Sequence, residues 1–306
     1  MKISITYLFV ICRYGYRHGI AEMLRAFREI RKLGFRFVEL EGLSPGHLRL
    51  IYENRRRLSR ALNRWGLHVH DFGVVNRDLV SLNPAKRRQA LGTFEVAAAV
   101  GDLLGAETLH LATYYPPARC CSRAPSPPCL GDDGFEYLNR SQMRIPERFD
   151  WGPVWPVLVD SCQRCADVAA QYGKTVIIEP VVGQVICSVD TLLRLIQHVQ
   201  RDNFKGNFDT AHFGAEHEDV GAALARLRGN VANVHVSDND ASRRDHLPIG
   251  EGSINWREFF SVLKDMTYNG YVGLDLGRHS SLPDGYRHSV DQLLKLASDL
   301  HIQIEI

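Results

Sequence analysis

Four apolar runs in the second half of the chain decide its fold: TVIIEP (residues 175–180), GNFDTAH (206–212), VANVHVSDND (231–240) and YVGLDLG (271–277). Each run is short, and a stretch long enough for a helix separates it from the next. Strands of a parallel sheet have this pattern, because helices cover both faces of the sheet and bury the strands. The runs therefore predict a parallel sheet with helices between its strands.

The same alternation extends over the whole chain and yields eight predicted strands. Their approximate bounds are 2–9, 36–41, 67–73, 107–113, 175–181, 205–210, 231–237 and 271–276. Five of the predicted helices end directly on a glycine, the residue that best adopts the left-handed conformation at a helix end. Strands and helices that alternate from end to end predict an α/β fold, here a (β/α)8 TIM barrel in one domain over residues 1–306.

The composition is that of a globular protein without strong charge. The 306 residues are 45% hydrophobic, which suits a large core, and the net charge is only +2. This near-neutral balance argues against nucleic acid or a membrane as the partner. The N-terminal MKISITYLFVIC is interpreted as strand one, because no signal-peptide cleavage site follows it. Seven irregularly spaced cysteines indicate free thiols in a reducing compartment, and hence a cytoplasmic location.

Each of the four quoted runs carries an acidic or imidazole side chain near its end: Glu179, Asp209, His235 and Asp275. Taken singly, such residues are often helix caps or hydrogen-bonded core residues. The carboxyl ends of barrel strands share one face, so the four side chains are expected to meet there. Three carboxylates brought together without a cation would repel one another strongly. We therefore predict one metal site, suited to Mn²⁺, Mg²⁺, Co²⁺ or Zn²⁺.

One long irregular segment, residues 114–155, interrupts the alternation after the fourth strand. Its proline and glycine content excludes long regular structure over the first half. Because it leaves the carboxyl end of a strand, we predict a lid over the site, with Trp151 among its substrate contacts. The alternative is a surface excursion in which Trp151 only packs at the start of the next helix.

Five motifs together resemble the xylose-isomerase-like TIM barrel superfamily, which includes sugar isomerases and epimerases, inosose dehydratases and apurinic endonucleases of family 2 type. The resemblance covers nearly the whole chain. The motifs are IEP with Glu179, DTAH with Asp209 and His212, HVSDND with His235 and Asp238, DHLPIGEG with His246 and Glu251, and the final YNGYVGLDL.

The resemblance implies a divalent metal, commonly Mn²⁺, bound by Glu179, Asp209, His235 and the residue that ends strand eight. The superfamily usually has a glutamate at this last position, whereas this chain has the shorter Asp275. Ketose 3-epimerases of the superfamily use their two metal-bound glutamates as the acid and base, which here implies Glu179 and Asp275. Whether Asp275 acts as a base or only as a ligand stays open. No nucleotide cofactor is implied.

The resemblance also bears on substrate contacts. It implies that His212 contacts substrate hydroxyls and takes part in catalysis. His70 and His110 lie on predicted strands three and four and are candidates for substrate binding, as is His246 in its glycine-containing loop. For His110 and for Glu39 on strand two, a structural role is equally compatible with the sequence. Residues 181–185 replace the Asn-Arg-x-Glu stretch of the ketose 3-epimerases.

The expected function is a metal-dependent sugar isomerase or epimerase that abstracts a proton next to a carbonyl and stabilises an enediolate. A lyase is the alternative, either an inosose-type dehydratase or a C-glycoside deglycosidase acting on a 3-oxo sugar, the latter with a small second subunit. An apurinic endonuclease also resembles the chain, but the neutral charge argues against it. The resemblance further implies a homodimer or homotetramer.

Overall fold

The computed structural model describes residues 1–112, 148–240, 246–277 and 281–306, together with the backbone of four two-residue strands between them. Eight parallel strands close into a barrel and confirm the predicted fold class. In order around the barrel they are β1 (Lys2–Ile5), β2 (Phe37–Gly42), β3 (His68–Val75), β4 (Thr108–Ala112), β9 (Thr175–Ile178), β10 (Phe204–Asp209), β11 (Val231–Val236) and β12 (Tyr271–Leu274).

Helices surround the barrel and connect its strands. They are α1 (Leu8–Tyr14), α2 (Ile20–Lys32), α3 (Pro45–Trp65), α4 (Pro84–Leu104), α5 (Val154–Ala170), α6 (Val189–Val199), α7 (Thr210–Ala215), α8 (Val220–Arg226), α9 (Trp256–Asp265) and α10 (Leu282–Leu300), with one 3₁₀ turn at Arg77–Val80. Their buried faces pack with the strands into one apolar cluster. No helix in the described part of the chain has the length and apolarity needed to cross a membrane.

Local sequence explains where the helices begin and end. Before α3, the Ser44 hydroxyl accepts a hydrogen bond from the His47 amide at 3.1 Å, and Pro45 occupies the first helical position. Such caps satisfy amide groups that have no partner within the helix. The five glycines predicted to end helices all have positive φ, as left-handed helix ends require: Gly34, Gly66, Gly105, Gly173 and Gly229.

The first strand is shorter than predicted. The run MKISITYLFVIC was expected to be extended over residues 2–9, whereas β1 ends at Ile5 and α1 begins at Leu8. Leu8, Phe9, Val10 and Ile11 are all buried, so this part of the run packs as a core helix. A continuous apolar run does not by itself distinguish a buried strand from a buried helix.

The barrel interior carries many polar side chains. Ser4, Asn207 and Asn233 are each at most 1% exposed, and Glu39 is 5% exposed. Barrels of this type are usually filled by branched apolar residues. Buried polar groups cost free energy unless they are hydrogen-bonded. The amide groups of Asn207 and Asn233 donate to Glu179 and Glu39, whereas the Ser4 hydroxyl has no hydrogen-bond partner among the described residues. The interior is therefore built around a site rather than for stability alone.

The segment predicted to form a lid lies mostly outside the described residues. Within 113–147 only the backbones of β5 (Arg119–Cys120), β6 (Leu130–Gly131), β7 (Gly134–Phe135) and β8 (Met143–Arg144) are described, β5 pairing with β8 and β6 with β7. The barrel resumes with α5 after residue 153.

Candidate active site

The four predicted ligands all lie at the carboxyl ends of barrel strands. Glu179 follows β9 directly, Asp209 is the last residue of β10, His235 lies next to the end of β11, and Asp275 follows β12. His235 is paired in register with Asp209. Asp209 is fully buried, and the Glu179 side chain is only 13% exposed. Parallel strands thus bring together residues that are up to 96 positions apart in the sequence.

His235 lies at the centre of the group. Its Nδ1 atom is 3.0 Å from Glu179 Oε2 and 3.8 Å from Asp209 Oδ2. The amide of Asn207 lies 3.0 Å from the same Nδ1 atom and donates to Glu179. Burial alone would lower the pKa of His235, but the carboxylates of Glu39 and Glu179 raise that pKa well above its ordinary value. A nitrogen atom of His235 therefore faces two carboxylate oxygens in a buried setting.

One carboxylate oxygen of Asp209 accepts hydrogen bonds, and the other has no hydrogen-bond partner in the described part of the chain. Its Oδ1 caps α7 by accepting from the Ala211 amide at 2.8 Å and the His212 amide at 3.2 Å. Its Oδ2 is buried and has no hydrogen-bond partner. Burial raises the pKa of this carboxyl group. A buried carboxylate oxygen without a donor is unfavourable unless a cation or a proton compensates it.

Asp275 is held by two neighbours. Thr6 donates its hydroxyl to Oδ1, and His246 Nδ1 lies 2.9 Å from Oδ2. Burial would raise the pKa of Asp275, but the charge and hydrogen bond of His246 lower it. Burial would likewise lower the pKa of His246, and Asp275 instead raises that pKa to about 9. The pair is therefore ionised at neutral pH, with a proton on His246.

The donor atoms fit a divalent metal. Among the described residues, three overlapping groups have ligand atoms within 4.8 Å of one another: His110, Glu179 and His235; Glu179, Asp209 and His212; and Asp209, His246 and Asp275. Each predicted ligand belongs to at least one of these groups. Oxygen and imidazole donors in this mixture suit Mn²⁺, Mg²⁺, Co²⁺ or Zn²⁺. Asp209, whose Oδ2 atom has no hydrogen-bond partner, belongs to two of the three groups.

Two of the predicted substrate-contacting histidines border the same group. His212 Nε2 is 3.3 Å from Glu179 Oε1. His110 Nε2 is 3.8 Å from Glu179 Oε2, and its Nδ1 is 3.3 Å from Asp71. Burial would lower the pKa of His110, but the hydrogen bond and charge of Asp71 raise that pKa to about 9. Both rings therefore lie beside Glu179. The His246 ring packs against the His212 ring, with ring centroids 5.4 Å apart.

The other two predicted contacts are His70 and Trp151. His70 is 1% exposed and stacks on Tyr271, with ring centroids 3.9 Å apart, at the amino-terminal half of the barrel interior. Trp151 is 45% exposed and packs edge-on against Phe149. His70 belongs to none of the three groups of potential metal ligands around Glu179 and Asp209.

Two glutamates of β2 also belong to the site region. Glu39 contacts His235 from the side opposite Glu179, with Oε2 2.9 Å from His235 Nε2. Burial raises the pKa of Glu41 to about 7; the charge of His110 lowers this pKa, and the charges of Glu179 and Asp275 raise it. From the sequence, a place on the inner face of strand two and a structural ion pair were equally compatible with Glu39, and Glu41 was not predicted. The alternation in FVELEG, which places both on one face, is the signal that finds them.

Parts of the predicted site fall outside the described residues. Most of the predicted lid is one of them, and residues 241–245 and 278–280 are likewise not described.

The family model of the xylose isomerase-like TIM barrel matches residues 27–296. An inosose isomerase of Halalkalibacterium halodurans is 26% identical over 148 residues, which cover 45% of this chain and 51% of the relative. An inosose dehydratase of Geobacillus thermodenitrificans is 21% identical over 173 residues, covering 49% of this chain and 58% of the relative. The chain thus spans about half the length of the curated relatives it matches.

Among solved structures, a D-tagatose 3-epimerase-like protein superimposes with a TM-score of 0.74 and 17% identity. The match covers 98% of both chains. At this identity the likeness concerns the fold.

Proposed function

Because this chain belongs to the xylose isomerase-like TIM barrel family, we propose that it is a divalent-metal-dependent isomerase or epimerase of a sugar or sugar derivative. The observation that carries the proposal is the Oδ2 atom of Asp209, which is buried without a hydrogen bond 3.8 Å from His235 Nδ1. The inosose isomerase among its relatives supports a sugar-like substrate.

Glu179, Asp209, His235 and Asp275 would hold the metal, with Mn²⁺ our first choice. Oxygen donors predominate and one imidazole completes the set, which suits Mn²⁺ without excluding Mg²⁺, Co²⁺ or Zn²⁺. When bound, the cation would supply positive charge that polarises a carbonyl and acidifies the neighbouring C–H bond.

We assign proton abstraction to Glu179. Burial would raise the pKa of Glu179, but hydrogen bonds from His212 and His235 lower that pKa well below its ordinary value, so the group is ionised. His212 and His235 also fix the orientation of the carboxylate through Oε1 and Oε2. If a substrate hydroxyl accepted the hydrogen bond that His212 otherwise donates to Glu179, one of the interactions that lower the pKa of Glu179 would be lost. Glu179 would then be a stronger base.

Asp275 and His246 would serve the second side of the substrate. In an epimerase the proton must return from the face opposite to the one it left. The pair holds a proton on His246 at neutral pH, 2.9 Å from Asp275 Oδ2. During turnover His246 would pass this proton to Asp275, and Asp275 would donate it to the substrate carbon, even though its side chain is shorter than glutamate.

The polar residues around Glu179 suit hydroxyl groups. His110, His212 and His246 offer imidazole nitrogens, and the buried polar residues of the described ranges include no lysine or arginine. Phosphate is usually bound by such cations or by helix N-termini. We therefore propose a neutral, polyhydroxylated substrate.

A lyase on the same site is the second candidate. The match to an inosose dehydratase favours it, as does the protonated His246, which could protonate a leaving hydroxyl. Both reactions begin with the same proton abstraction and differ in whether a proton returns to carbon or a substituent departs.

The proposal can be tested with metal-stripped protein. The protein is incubated with ketoses, inososes and 3-oxo-glycosides, with and without added Mn²⁺, and products are identified by NMR. We expect conversion only with metal, and no conversion by Asp209→Asn, which keeps the cap of α7 and loses the uncompensated charge. Glu107→Gln, at the amino-terminal end of β4, is the matched control and should convert normally. Full activity of the stripped protein or of Asp209→Asn would contradict the proposal.

A further inference from the structure

Glu39 is buried inside the barrel directly beneath the predicted metal site. We propose that Glu39 is a positioning residue that fixes His235 in the ring orientation and tautomer needed to bind the cation through Nδ1. The inference rests on the metal site of the proposed function, and it assigns a role to a residue that is not itself a predicted ligand.

The contacts of His235 define the arrangement. Its Nε2 atom lies 2.9 Å from Oε2 and 3.1 Å from Oε1 of Glu39. A carboxylate accepts hydrogen bonds, so Nε2 carries the ring proton and donates it to Glu39. The opposite nitrogen, Nδ1, faces Glu179 and Asp209. Histidines that bind metals commonly have this second hydrogen bond to a carboxylate, which fixes the tautomer and makes the ligand nitrogen more basic.

Other contacts of Glu39 hold it in place without competing for that role. The Asn233 amide donates to Oε1 at 3.0 Å. His70 Nε2 is 3.4 Å from Oε1 and makes no hydrogen bond. Burial lowers the pKa of His70 well below its ordinary value, so its ring is neutral. His235 is thus the main partner of Glu39, and His70 belongs to the packing beneath it.

A structural role alone does not account for a carboxylate at this position. Glu39 is 5% exposed, and burial raises its pKa. Replacing buried ionic groups with apolar residues of similar size is often neutral or stabilising. The interior of such barrels is ordinarily filled by apolar side chains. A buried glutamate that contacts a predicted ligand with both oxygens is therefore better explained by what it does to that ligand.

The neighbouring strand leaves room for this carboxylate. Gly273 pairs in register with His235, and a Cβ atom at position 273 would lie 3.1 Å from Glu39 Oε1 and 2.9 Å from Thr6 Cγ2. These distances are closer than side chains normally tolerate, so alanine would displace the carboxylate or Thr6. Gly273→Ala therefore crowds Glu39 and Thr6 without changing the chemistry of either side chain.

The test measures Mn²⁺ affinity by calorimetry and imidazole coordination by electron spin echo spectroscopy of the bound ion. Removing a carboxylate that orients a ligand histidine typically weakens metal binding about 10- to 100-fold. We expect about a 10-fold loss for Glu39→Gln, which keeps an acceptor oxygen, and about a 100-fold loss for Glu39→Leu, which keeps none. We also expect a weakened nitrogen signal in Glu39→Leu and a smaller loss of affinity for Gly273→Ala. Glu107→Gln, outside the site, should bind as the wild type does.

The outcomes separate this inference from the proposed function. If the wild type binds Mn²⁺ with a coordinated nitrogen and both Glu39 variants do the same with equal affinity, the positioning role is overturned while the metal site stands. A wild-type protein that binds no Mn²⁺ overturns the proposed function and this inference with it. If Glu39→Leu does not fold, the Mn²⁺ affinities of Glu39→Gln and Gly273→Ala still test whether Glu39 positions His235.

Discussion

Asp238 holds together the loop that carries His246, and its replacement should be strongly destabilising. Its carboxylate accepts four hydrogen bonds: from the Asn239 amide (2.9 Å), the Ile254 amide (3.2 Å), the Gly250 amide (2.7 Å) and the Trp256 indole (2.8 Å). Its backbone also pairs with that of Leu247. At 1% exposure, no water can replace these bonds when the carboxylate is removed.

The magnitude follows from the number of bonds. Each hydrogen bond to a charged acceptor contributes about 1.5 kcal/mol net at the lower end of the usual range, so the loss of four in Asp238→Ala should cost about 6 kcal/mol of unfolding free energy. Asp238→Asn keeps one oxygen and turns an amide group towards two of the donors, so about half that loss is expected. Both values are large compared with the total stability of about 5–15 kcal/mol for a typical domain.

Urea denaturation followed by circular dichroism measures the difference. Asp219→Ala is the control, because Asp219 is an exposed helix cap that accepts from the Ala222 amide alone, and its loss should cost about 1 kcal/mol. If Asp238→Ala is no more destabilising than Asp219→Ala, the four hydrogen bonds of Asp238 do not stabilise the fold as argued. In Asp238→Asn, if folded, loosening of the loop should also weaken the contact between His246 and Asp275.

Three further predictions concern histidines and cysteines. His212→Asn should keep normal Mn²⁺ content but lose about 100-fold in kcat/KM, as expected for a group that assists proton transfer; unchanged kinetics would remove His212 from the mechanism. Burial, and then the proximity of His18, lower the pKa of His47 to about 4, so its contribution to stability is complete above pH 6.5 and is lost as the pH falls towards 4. His47→Gln should therefore flatten the pH dependence of the unfolding free energy by about 3 kcal/mol over this interval, and parallel curves for the two proteins would contradict the assignment. Burial raises the pKa of Cys162 and Cys165, so both should react with a thiol reagent at pH 8 only after unfolding, and rapid reaction of the native protein would show that they are accessible.

Much of the barrel could be predicted from the sequence because parallel strands impose a simple pattern. Seven of the eight strands lie within a few residues of their predicted bounds. The first strand was predicted too long, since the apolar residues of α1 continue the run and burial alone does not reveal the change of period. The end of β9 was also predicted too late, at residue 181 instead of Ile178.

The sequence predicted which residues at strand ends are neighbours. It did not predict how deep in the barrel interior a side chain lies. Glu179 and Asp209 both lie within 4 Å of His235 because parallel strands end on one face. His70 was expected near that face, yet it lies beside Tyr271, one layer below. An irregularity in the pairing of β2 with β3 shifts their register after Val38, and no local sequence signal marks it. The roles of these residues in binding and catalysis stay predictions.

The most direct test of the account is solvent exchange at the substrate carbon. The protein is incubated in deuterated water with a sugar that it converts, and the position of deuterium is determined by NMR. We expect deuterium to enter the carbon next to the carbonyl, and only when Mn²⁺ is present. Glu179→Gln should abolish this exchange while still binding substrate. Turnover with no deuterium in the product or in recovered substrate, or exchange that survives Glu179→Gln, would contradict proton abstraction by Glu179 at this site.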